Sequence, residues 1–255
     1  MRKSLHCLMF TLLLALGFSS HATAETIVYG CGSGALNWNM VSFDLDALNT
    51  DSKVSPVTLF SMPEVEAEVL CGASVGRKYF AYHLDENTGA MLFTSMNFTT
   101  GKVVNVCSYG NVEWTMRDLE YDAATGKLYG VMFVKQFDEE GKMKKIAQLV
   151  EINPANGELT SLALYEGVTP LGLALNPTGG FYLVAEKISS SFKYVPVVYS
   201  IANDETLTIS QLFMDDAISY NGNSSHTCFM YGGALYFFSG GQCLTFDITA
   251  QKGTL

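Results

Sequence analysis

Few residues in this chain are equipped for chemistry. Beyond residue 24 there are two histidines, His83 and His226. His226 stands just ahead of the strand-like run 227–231, and Arg117 and Asp118 stand just ahead of a comparable run at 119–122. An arginine, an aspartate and a histidine gathered at one point would hold a polar ligand by charge and hydrogen bonding. The favoured competing reading is that Arg117 and Asp118 pair with each other or cap their own loop. Trp114 follows Glu113, and Trp38 lies between Asn37 and Asn39, both in segments read as loops. An exposed indole suits stacking on a sugar ring. Packing between repeats is the favoured alternative. The candidate ligand-binding residues are therefore Arg117, Asp118, His226 and Trp114.

No catalytic residue, metal or cofactor is assigned. A metal hydrolase needs several His, Asp or Glu ligands converging on one point, and two histidines supply little of that. HExxH, a nucleophile elbow and a phosphate-binding glycine loop are all absent from the sequence. The glycine-rich pieces Gly30-Cys31-Gly32-Ser33-Gly34 and Gly240-Gly241 read as turns. Asp138-Glu139-Glu140-Gly141-Lys142 lacks the alternating oxygen ligands of a calcium loop and reads as a solvated turn. Asp215-Asp216, in a connecting loop, reads the same way.

The ends and the charge narrow the setting. Arg2 and Lys3, an apolar run at 8–18 and the small-x-small triplet Ala22-Thr23-Ala24 form an export signal over residues 1–24. The mature chain is expected to run from Glu25 to Leu255 as a single domain, with no membrane span, in the periplasm, at the cell surface or outside the cell. It then carries 13 Lys+Arg against 25 Asp+Glu, a net charge of −12. Such acidity opposes nucleic acid and anionic lipid alike. Five cysteines remain, with no CxxC and no metal spacing. Most read as small buried hydrophobes. Cys228 and Cys243 fall on strands two apart, roughly 9–10 Å, too far for a bridge.

The elements that must position these residues repeat. Around residues 116–165 four short strands alternate with turns in which Asp122 to Gly126 and Asn153 to Gly157 supply the turn chemistry. One strand of each copy carries an aromatic residue: Tyr29, Phe80, Tyr129, Tyr182 and Tyr236, spaced by about 50 residues. Val, Tyr, Phe, Thr and Gly dominate, which favours strands over a helical solenoid. A four-stranded copy at that period indicates an all-β fold of propeller blades, about five of them with partial first and last copies. A two-sheet sandwich is the structural competitor, and it does not predict four-strand copies at constant spacing.

The run Tyr121-Asp122-x-x-Thr125-Gly126-Lys127-Leu128-Tyr129-Gly130-Val131 resembles the repeat of secreted bacterial β-propellers, as does Leu173-Ala174-Leu175-Asn176-Pro177-Thr178-Gly179-Gly180-Phe181-Tyr182. The NHL, YVTN and quinoprotein-like types are similar. The resemblance covers most of residues 26–250 and implies blades around an axial channel, with ligands met at a channel mouth. It transfers no catalytic residue. Strand counting gives the first copy no inner strand and the last copy only Gly253-Thr254-Leu255 for its outer one. The expectation is an incomplete ring from a longer propeller of six to eight blades, the alternative a five-bladed ring with one incomplete blade. The functional expectation is a non-enzymatic exported binding or scaffold module for a protein or glycan. The alternative is a metal-dependent lyase, lactonase or hydrolase of the propeller kind.

Overall fold

A computed structural model describes residues 27–33, 38–49, 57–62, 67–85, 87–216, 218, 220, 226–239 and 242–254. Residues 1–24, read above as an export signal, Gly240-Gly241 and the side chains of Cys31 and Trp38 lie outside the described residues. Among the described residues nineteen strands form five antiparallel sheets. Blade 1 is β1 (Ile27–Ser33), β2 (Trp38–Asp44) and β3 (Val57–Met62). Blade 2 is β4 (Ala67–Val75), β5 (Lys78–Asp85), β6 (Ala90–Asn97) and β7 (Val103–Asn111). Blade 3 is β8 (Trp114–Asp122), β9 (Lys127–Phe137), β10 (Met143–Ile152) and β11 (Leu159–Glu166). Blade 4 is β12 (Thr169–Leu175), β13 (Phe181–Ile188), β14 (Tyr194–Ile201) and β15 (Ile209–Met214). Blade 5 is β16 (His226–Tyr231), β17 (Ala234–Ser239), β18 (Gln242–Asp247) and β19 (Lys252–Thr254).

Each sheet is a meander whose strands pair in chain order, because direct connections, most of them short, join antiparallel neighbours. The turns run on side-chain caps. Asp85, Asn97, Asp122, Asn153, Asn176 and Asp204 each accept a backbone N–H two residues on, which closes the turn locally. Asp138 does the same for Glu140 and Lys142, so the acidic run 138–140 is a capped hairpin tip, as its composition implied. One outer strand begins later than its sequence suggests. Leu207 lies in the turn with a positive φ of 49°, and β15 starts at Ile209.

The cores lie between blades. Met40, Val69, Tyr79, Ala81 and Met96 join blades 1 and 2. Phe80, Phe93, Met116, Leu128 and Ile152 join blades 2 and 3. Val131, Leu149, Leu173, Phe181 and Leu183 join blades 3 and 4, and Val184, Val198, Leu235, Phe237 and Phe246 join blades 4 and 5. Strand alternation sends one face of each sheet to the preceding blade and the other to the next. The repeated aromatics all take the second of these faces. Tyr29 meets Phe98 of blade 2 at 5.3 Å between ring centroids, and Tyr129 meets Phe181 of blade 4 at 4.9 Å. Phe80 and Tyr182 pack into the following seams. Blade 5 returns to blade 1 through Phe238 and Phe43, 5.8 Å apart. The sheets thus form a ring, and the chain is a five-bladed β-propeller. Among the described residues blade 1 is three-stranded, the five-bladed arrangement with one incomplete blade.

Candidate functional site at the axis and its mouth

The inner strands β4, β8, β12 and β16 gather at the axis. β8 lies against β4 and β12, β12 lies against β16, and β16 reaches across to β8 and β4. Each inner strand pairs on one side only, with the second strand of its own blade. Its other edge carries backbone N–H groups that face protein instead of water and need acceptors.

Asp118 supplies them. It is fully buried within β8, not ahead of the strand as the sequence suggested. Its Oδ2 accepts the N–H of Leu173 on β12 at 2.9 Å and that of Cys228 on β16 at 2.9 Å. Its Oδ1 accepts the N–H of Leu119 at 3.0 Å and the hydroxyl of Thr227 at 2.9 Å. One carboxylate therefore ties three blades together. Burial pushes its pKa up from 3.8 to about 7, against the opposing pull of those four donors. Glu120, two residues along the same strand, accepts the N–H of Leu175, and burial followed by the negative charge of Asp118 raises its pKa. Gly172 is required beside this junction. A Cβ there would stand 2.7 Å from Cys228 Sγ and 3.3 Å from Asp118 Oδ2.

A β-bulge sets the arrangement. The pairing of β8 with β9 slips between Met116 and Asp118, leaving Arg117 unopposed. Bulges recur at Leu70 in β4 and Leu171 in β12. A bulge re-aims the side chains on either side of it, so Asp118 enters the axis while Arg117 turns to the mouth. The Arg117 guanidinium lies 5.6 Å from the ring centroid of Phe133, a cation–π contact.

His226, the first residue of β16, is buried between Tyr220 at 5.4 Å and Phe237 at 5.6 Å. Burial and then the nearby Arg117 charge lower its pKa to about 4. It is a neutral imidazole at pH 7, and its Nδ1 has no hydrogen-bond partner. Tyr220 donates to Glu186 at 3.0 Å, and Lys145 approaches Glu186 at 4.0 Å. The structure thus brings Arg117 and His226 to one mouth, with Asp118 below them. Trp114 is elsewhere. It begins β8 and packs edge-on against Tyr82 at 6.1 Å and Tyr109 at 5.3 Å, so it belongs to the seam between blades 2 and 3. Tyr220, Glu186 and Lys145 were not foreseen; nothing in their sequence surroundings marks them. His83 is also buried, bonded through Nε2 to Thr94 at 2.7 Å, and desolvation lowers its pKa to about 4.

The mouth offers a guanidinium, an uncharged imidazole and a phenol–carboxylate pair, which recognise polar groups by charge and hydrogen bonding. Among the described residues no three His, Cys, Asp or Glu side chains gather as a metal site. Cys71, Cys107, Cys228 and Cys243 are free thiols. Burial raises the pKa of Cys71 and Cys228 well above the usual thiol value and that of Cys243 to about 11, which makes them poor nucleophiles.

No protein-family model matches the chain, and no curated protein matches its sequence. Its fold is similar to that of solved propellers. A chain of the nidogen/laminin complex superposes with a TM-score of 0.50 at 11% identity, over 90% of this chain and 91% of that one. TolB from Acinetobacter baumannii gives 0.46 at 12% identity, over 90% and 53%. A putative 6-phosphogluconolactonase from Bacteroides uniformis gives 0.47 at 11%, over 92% and 81%. No described helix is long and apolar enough to cross a membrane.

Proposed function

We propose that the chain is an exported, non-enzymatic binding propeller that meets a protein or glycan through its loop surfaces. The observation that carries this reading is a contrast. The ionisable groups at the axis hold the blades together, whereas the end bearing the β9–β10 and β13–β14 hairpins exposes large apolar side chains. Phe192 is 90% exposed and Phe137 68%. Water-facing aromatics grouped on rigid hairpins suit recognition of a large partner. The leader-like sequence at 1–24 supports export.

Two measurements test the proposal. Cross-linking in an envelope extract should yield a defined adduct that a Phe137→Ser/Phe192→Ser variant loses, or a glycan panel should give binding with the same dependence. Stoichiometric calcium or zinc in the purified protein would overturn the reading in favour of a metal-dependent lyase, lactonase or hydrolase. Export is checked separately: the N-terminus of the protein recovered outside the cytoplasm should be Glu25.

A further inference from the structure

We infer that β1 accepts an extended, uncharged segment of a partner protein along its open edge, as the innermost strand of blade 1. This site is separate from the loop surfaces of the proposed function. Register and neighbours make β1 a second strand, not an innermost one. Tyr29 pairs with Ser42 as Phe80 pairs with Ser95, Tyr129 with Glu151, Tyr182 with Ser200 and Tyr236 with Thr245. β1 lies against β4, the inner strand of blade 2, as β9 lies against β12. The other second strands, β5, β9, β13 and β17, are each paired on both edges. Among the described residues β1 pairs with β2 alone.

The side-chain space beside that edge is open. Among the described residues a Cβ on Gly30 would meet nothing within 4 Å. On the matching Gly130 it would stand 2.8 Å from Met116 and 3.1 Å from Leu119, both on the inner strand β8. Tyr236 is 8% exposed and stacks at 5.5 Å on Phe229, its inner-strand partner, whereas Tyr29 is 46% exposed.

The backbone identifies the occupant. A strand edge repeats N–H and C=O groups in a spacing that another extended backbone satisfies along its whole length. The added strand continues the set of inner strands between β16 and β4, and those strands set its side chains. β12 is buried at six of its seven positions, and neither β12 nor β16 carries Asp, Glu, Lys or Arg. A charge there would be desolvated, near the axial carboxyl groups of Asp118 and Glu120. A leucine opposite Gly30 fills the place that Leu119 takes over Gly130. An aromatic residue next to it stacks on Tyr29 as Phe229 does on Tyr236.

The test uses the full mature chain and a fluorescein-labelled peptide, Lys-Thr-Val-Thr-Leu-Phe-Val-Thr-Lys. Anisotropy should show saturable binding. Amide exchange should slow in β1 on binding, while the outer strands β3, β7, β11 and β15 exchange as before. The same peptide N-methylated at its three central amides should not bind. Gly30→Phe occupies the space of the incoming leucine and should weaken binding at least tenfold, with Gly30→Val intermediate. Unchanged melting temperatures verify the fold, and Gly30→Val alone decides if Gly30→Phe does not fold. The inference is overturned if the peptide does not bind, if the N-methylated form binds equally, if protection falls on an outer strand, or if the Gly30 variants bind normally. Slow β1 exchange in the free monomer would assign the edge to the chain's own residues, and slow exchange that appears only with dimerisation would assign it to a second copy; either result also overturns the inference. Peptide binding should be unchanged in Phe137→Ser/Phe192→Ser, so failure at β1 leaves the loop-borne reading standing.

Discussion

Asp118 is a carboxylate used as a structural junction. Replacing it with alanine leaves buried donors on three inner strands without an acceptor, at about 1–3 kcal/mol each. Asp118→Ala should therefore lose several kcal/mol or fail to fold, as read by denaturant unfolding. Asp118→Asn is milder, since its amide oxygen can replace Oδ2 and its NH₂ can donate to the Thr227 hydroxyl, leaving only the Leu119 N–H against another donor. The pH dependence has a defined sign. The folded-state pKa of about 7 exceeds the ordinary 3.8, so the native state holds the proton more tightly. This group's contribution is greatest below about pH 4, falls as pH rises to about 7, and is flat beyond. The stability deficit of Asp118→Asn relative to wild type should accordingly shrink between pH 4 and 8; a constant deficit would show that Asp118 does not titrate in that window. Sequence alone drew attention to Asp118, Arg117 and His226 but placed Asp118 ahead of its strand instead of within it. The partners of Asp118 lie 55 and 110 residues away in the chain, and no local pattern announces them. Trp114 was read as a loop residue because its polar neighbours Glu113 and Thr115 hide the start of β8.

Between elements, recurring ties run from an outer strand to the next blade. Tyr109 on β7 donates to the carbonyl of Gly157 in the β10–β11 turn and shares a 2.9 Å hydroxyl contact with Tyr82. Tyr165 on β11 donates to the carbonyl of Leu207 in the β14–β15 turn at 2.8 Å. Each fixes the angle between adjacent sheets with one hydroxyl. Tyr165→Phe should keep the ring packing and cost about 1 kcal/mol, measured as a shift in the urea midpoint. A shift no larger than that of an exposed control such as Leu164→Phe would remove the role assigned to the hydroxyl. The strands themselves were legible: Asp122 with Gly126, and Asn153 with Gly157, mark hairpin turns by chemistry that acts within five residues. The inter-blade tyrosines were not, because a tyrosine in a strand looks the same whether its hydroxyl meets water or a carbonyl from the following copy.

At the scale of the ring, packing among the described residues is uneven. Four seams hold continuous apolar clusters, or in the case of blades 1 and 2 a smaller one. Among the described residues, the junction of blade 5 with blade 1 is marked by Phe43 and Phe238, with Phe229 stacked on Phe238 at 5.8 Å. Local opening follows the thinnest packing. Amide exchange should therefore be fastest in β1–β3, with β9, β10, β13 and β14 the slowest, and Phe238→Ala should speed exchange in blade 1 while leaving blade 3 unchanged. Equal protection across all blades would contradict this. The blade repeat was legible because Tyr29, Phe80, Tyr129, Tyr182 and Tyr236 recur once in every copy; the closure of five blades and the unevenness of their packing were not, since both depend on which side chains meet across a seam. The reach of Asp118 also has a bearing on biosynthesis. Its last two donors, Thr227 and Cys228, belong to blade 5, so a chain emerging from the N-terminus cannot complete this junction until that blade has been made. Contacts so distant along the chain form late, and until then blade 3 holds a carboxylate with half of its donors missing. Commitment to the native ring is thereby deferred until the inner strand of blade 5 is available.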